Sequence, residues 1–202
     1  MVGTAALVEE LMETVHGNTQ GIKSSYIKQL EQLYQQQQPD NRFASSEFSL
    51  RLANLSAEMD QPLCAYVNRE GQIVRVAVGT PAQTQLSPSD LPEDDSGLSG
   101  IRCIAAQPDP PDRAALLAMS WQRLDSLVVI ITVKKEPWRR YWKETDAIKE
   151  IYVAHVVPND ETPWVVSQPL SLKKLVAQDF VKLIKKWETK LLESDVGELQ
   201  SQ

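Results

Sequence analysis

The chain has 202 residues, 42% of them apolar and 24% charged, with a net charge of −6. That length supports one sizeable core, and the ordinary apolar and charged fractions exclude a disordered or fibrous chain. The acidic balance repels nucleic acid and anionic membranes, so any RNA contact has to come from a local basic patch.

Residues 1–15 read as a weakly helical lead. Glu9, Glu10 and Glu13 without an early Lys or Arg do not fit a signal peptide. In the next segment His16, Gly17, Asn18, Gly21 and Lys23 combine two glycines and an asparagine, residues that favour turns. This segment is predicted to be an ordered loop packed against the domain. Ser24 offers an N-cap, Ile27, Leu30, Leu33 and Tyr34 follow at helical spacing, and Pro39 ends the run. A second helix begins near Ser45 or Ser46, with Phe48, Leu52, Leu55 and Met59 on one face.

Residues 63–68 and 72–78 read as a β-hairpin around Arg69, Glu70 and Gly71. Residues 87–99 form an acidic Pro- and Ser-rich loop with Asp90, Glu93, Asp94 and Asp95. A short buried strand follows at 101–106. Asp109, Pro110 and Pro111 then introduce a helix with Ala114, Leu117, Trp121 and Leu124 on one face. Residues 126–133 form a β-branched central strand and 148–157 another; Trp164, Val165 and Val166 suit a short edge strand. Ser171 caps a long amphipathic final helix whose apolar stripe includes Leu175, Phe180 and Trp187. The predicted fold is α/β (α+β), a mixed sheet of about five strands with flanking helices. It forms one domain over 16–193, with a frayed tail at 194–202.

Chemistry-bearing motifs are scarce. The sequence contains no GxxxxGK[ST], no GxGxxG after a strand, no GxSxG and no CxxC. Nucleotide binding is not expected. Cys64 and Cys103 sit in apolar strands and read as buried free thiols of a reducing, cytoplasmic compartment. His16 and His155 are too far apart in sequence to make a zinc site by themselves, so no metal or cofactor is expected. The strongly apolar run 127–133 is far short of the roughly twenty residues of a membrane span.

One segment invites a functional reading. Residues 134–143 hold Lys134, Lys135, Arg139, Arg140 and Lys143 beside Trp138, Tyr141 and Trp142. Cations neutralise phosphates and exposed rings stack on bases, the composition of an RNA contact. The same composition suits a core lid whose rings plug the interior while its charges face water. Lys173, Lys174, Lys182, Lys185, Lys186 and Lys190 of the final helix read as a solvated face.

His16-Gly17-Asn18, then Gly21-Ile22-Lys23 leading into a helix, resembles the opening motif of the N-terminal extension of HflX-type ribosome-associated GTPases. Asn68-Arg69-Glu70-Gly71-Gln72-Ile73, Ser99-Gly100-Ile101-Arg102-Cys103-Ile104, Gln122-Arg123-Leu124-Asp125 and Val153-Ala154-His155-Val156-Val157-Pro158 resemble later segments of that domain in order and spacing. The likeness covers about residues 12 to 190. It implies a non-catalytic interaction or regulatory domain linked to translation, with the ribosome, its RNA or an HflX GTPase as partner. The alternatives are a structural or accessory subunit of another cytosolic assembly and an enzyme on a degenerate MPN-like metalloenzyme scaffold. The GTPase domain of that family is not in this sequence, so GTP hydrolysis and ribosome splitting are not implied. Many family members carry His-Thr-His after the equivalent of Ile104, reminiscent of the metal motif of MPN-type (JAMM) metalloproteases, which implies a distant fold kinship. Here Ala105, Ala106 and Gln107 stand at those positions, with Ala114 and Ala115 where acidic residues would follow. Methyl groups cannot ligate zinc and a Gln amide is a poor ligand.

Overall fold

The computed structural model describes residues 14–39, 42–80, 82–84, 101–111, 124, 126–135, 141–157, 164–170 and 173; for 155–157 and 164–170 it describes the backbone alone. Seven strands form one mixed sheet flanked by helices. They are β1 (Val15–Gly17), β2 (Leu63–Val67), β3 (Ile73–Val78), β4 (Arg102–Gln107), β5 (Ser126–Thr132), β6 (Ile148–Val157) and β7 (Trp164–Leu170), in the spatial order β1-β3-β2-β4-β5-β6-β7. β4 and β5 are parallel, as are β1 and β3; every other pair is antiparallel. Two helices belong to the described chain, α1 (Ser24–Glu31) and α2 (Ser46–Met59).

Strict alternation sorts the strand side chains onto two faces. Leu63, Ala65 and Val67 of β2, Ile104 and Ala106 of β4, and Val128 and Ile130 of β5 pack with Leu30, Leu33, Phe48, Leu52 and Leu55 of the helical layer. The intervening residues Cys64, Tyr66, Cys103, Ala105, Leu127, Val129 and Ile131 are buried on the other face. Both faces being covered explains why β2, β4 and β5 are buried along their whole length and read as continuous apolar runs.

α2 starts where the sequence places it. Ser45 is its N-cap and accepts from the Phe48 N–H at 3.2 Å, and Glu47 in the first turn suits the helix dipole. The helix ends on Asp60, a non-glycine residue in the left-handed region at φ 55°. Ser56 ties α2 to the sheet, its hydroxyl donating to the Ala106 carbonyl at 3.1 Å. The β2–β3 turn also matches the expectation: the Asn68 N–H donates to the Gln72 carbonyl at 2.9 Å, and the Asn68 Oδ1 accepts from the Gln72 N–H at 2.8 Å.

Four expectations change. The mixed sheet with flanking helices is as expected, and among the described residues it has seven strands where about five were expected. Val15, expected in the helical lead, is buried in β1, and His16 and Gly17 are strand rather than loop; residues 1–13 of that lead lie outside the described residues. Three residues are too few to show any periodicity, and their glycine reads as a turn. Ser24 is the first helical residue of α1; Lys23 is the cap and makes no side-chain capping bond. The expected short edge strand extends to Leu170. The predicted helix after Pro111, apart from Leu124, and the acidic loop at 87–99 lie outside the described residues. So does the final helix, apart from Lys173.

Gly17 shows what β1 demands of the sequence. Its φ is +82°, and a Cβ there would sit 2.1 Å from the Val78 carbonyl oxygen. Gly21 has φ +79° but open space around it. Gly17→Ala is therefore expected to lower stability by roughly 2–4 kcal/mol, combining backbone strain with a steric clash, and Gly21→Ala by about 1 kcal/mol from strain alone. Urea denaturation of the two variants checks the ranking.

Candidate functional site

The residues singled out by sequence fall into two places joined by the C-terminal half of α2. The first is the motif loop. His16 lies in β1 opposite Ala77, and the Asn18 N–H continues the pairing with the Val78 carbonyl at 3.1 Å. The Ile22 N–H closes a turn onto the Thr19 carbonyl at 3.2 Å, and Ile22 packs against the core. The Tyr34 hydroxyl bolts this corner together, donating to the Thr14 carbonyl at 2.9 Å and accepting from the Val76 N–H at 2.8 Å. Ile22 packs against the core, whereas Asn18, Gln20, Gly21 and Lys23 are exposed. Asn18, Gly21 and Lys23 share a shallow pocket of about 250 Å³ with Tyr26, Glu58 and Met59.

The second place is the segment that leaves β5. Lys134 pairs with Asp60, and Lys135 Nζ with Glu58 at 2.7 Å. Both carboxylates belong to the C-terminal end of α2, where cations also suit the helix dipole. After residues 136–140, which include Trp138, Arg139 and Arg140 and lie outside the described residues, the chain returns to α2. The Trp142 indole N–H donates to Asn54 Oδ1 at 3.2 Å, while Asn54 Nδ2 donates to the Glu144 carbonyl at 3.0 Å and the Leu50 carbonyl at 2.8 Å. Lys143 is exposed, and its N–H reaches the Asp146 carboxylate at 3.3 Å. Tyr141 is the exception, with 87% of its surface exposed.

These contacts divide the segment. Trp142 packs against the core, as a lid would, whereas Lys134 and Lys135 pair with carboxylates at the end of α2. Tyr141 and Lys143 face solvent. Between α2, Gln29 of α1 and Trp142 and Glu144 lies an open groove of about 460 Å³. Sequence reasoning found the basic and aromatic residues of this wall. It missed Asn54, Glu47 and Glu58, polar residues of an amphipathic helix, of which Asn54 is half-buried and the two glutamates exposed.

The buried thiols form a separate cluster. Cys64 and Cys103 are free and fully buried, as expected. Cys64 Sγ lies 3.0 Å from the Thr84 hydroxyl, and the Tyr66 hydroxyl donates to the Thr84 carbonyl at 2.5 Å. Cys64 is the more acidic of the two thiols because Cys103 hydrogen-bonds to it, a pull opposed by burial. Burial pushes Cys103 and the Tyr66 phenol well above their usual values. A sealed thiol cannot meet a substrate, so the cluster reads as core.

The stretch Ala105–Gln107 is buried in β4, and Gln107 Nε2 donates to the Asp109 carbonyl at 2.7 Å. Ala114 and Ala115 lie outside the described residues, as does the His155 side chain. Among the described residues no three His, Cys, Asp or Glu side chains gather as a metal site would need. No described helix is long and apolar enough to cross a membrane. No protein-family model matches this chain, and neither a curated protein nor a solved structure matches it. The likeness to the HflX N-terminal extension stands on the sequence motifs alone.

Three outcomes follow. Asn54→Ala removes the bonds that hold Trp142 and Glu144, and is expected to cost about 1–3 kcal/mol in urea denaturation. Lys134→Ala and Lys135→Ala, at largely exposed pairs, should each cost under about 1 kcal/mol, less at high salt. The raised pKa values of Cys103 and Tyr66 keep both groups neutral in the folded chain, whereas an unfolded thiol ionises near about 8.5 and a phenol near about 10. Their contribution is complete below those values and is lost as pH rises past them. Denaturation midpoints should therefore fall as pH rises above about 8.5, and above about pH 10 fall less in Tyr66→Phe than in the wild type.

Proposed function

We propose that this chain is a non-catalytic, cytoplasmic interaction domain that meets a protein partner through the face formed by α2 and residues 141–147. The observation that carries the reading is the pairing of a pinned Trp142 with a bare Tyr141. The lid role accounts for Trp142, whose indole N–H is engaged by Asn54. It does not account for the next residue, a large ring left 87% exposed. Burying an aromatic ring is worth a great deal at an interface, and Tyr is enriched among the residues that dominate binding. The HflX resemblance supports a partner in the translation machinery, either an HflX-type GTPase or a ribosomal protein.

Direct contact with ribosomal RNA through residues 134–143 is the second reading. Its composition favours it, and Arg139 and Arg140 are the cations that would carry it. Local charge argues the other way. Lys134 and Lys135 are neutralised by Asp60 and Glu58, and the neighbouring groove carries further carboxylates at Glu47 and Glu144. Phosphates are repelled from such a wall.

Co-sedimentation with ribosomes and capture of a purified HflX-type GTPase test the reading together. Tyr141→Ala is expected to lower capture at least about tenfold while leaving the melting temperature unchanged, the behaviour of a hot-spot ring. Loss confined to the Arg139→Glu/Arg140→Glu double variant, with steep salt dependence, would transfer the site to RNA. Wild-type chain that joins neither ribosomes nor the GTPase would contradict the proposed partners.

A further inference from the structure

We draw no further inference here: the strongest candidate, the buried cluster of Cys64, Tyr66, Cys103 and Thr84 on the sheet face away from α2, is closed to solvent, and nothing but the lowered pKa of Cys64 points to a reactive thiol there.

Discussion

The structure depends on one packing event, the laying of α2 across the parallel pair β4–β5. Phe48, Leu52 and Leu55 are buried there, each contributing about 1.5–3 kcal/mol in transfer terms. Parallel strands cannot be joined by a tight turn and need a crossover, so their pairing is secured by what covers them. Ser56 adds a polar stitch by bonding the Ala106 carbonyl from the helix side. Once α2 is seated, its far end fixes the exit of β5. The Lys135 N–H meets the Ala57 carbonyl at 3.4 Å, and the flanking lysines find the carboxylates of Glu58 and Asp60. The proposed face is therefore held by the same helix that covers the core.

Legibility of the sequence followed the range of the interactions. The apolar spacing of α2, the Arg69–Gly71 turn and the β-branched run of β5 are local patterns, and each appears where the pattern places it. β1 was not legible because a three-residue strand has no period and owes its existence to the ladder with β3. The meaning of residues 134–143 was half legible. Composition shows five cations and three rings. It cannot show that Lys134, Lys135 and Trp142 find partners 74, 77 and 88 residues upstream. A basic segment read in isolation suggests phosphate; set against Glu58 and Asp60, it becomes a clasp.

The electrostatics of this face is mixed. Asp60 and Glu58 meet Lys134 and Lys135 at the end of α2. The groove beside Trp142 is lined by Glu47, Glu58 and Glu144 together with Arg51 and Lys135, and Tyr141 is exposed. The buried thiols and the alanines of β4 add no reactive group to this face. The proposed protein contact rests on the exposed ring of Tyr141 beside this face.

The claim that α2 holds this face is tested most directly by hydrogen exchange on the wild-type chain and on Asn54→Ala. The account predicts faster exchange in the variant at Lys135 and across residues 141–147, with protection of β2 and β3 unchanged. Equal exchange at residues 141–147 in the two proteins would show that Asn54 does not position the face, and would contradict the account.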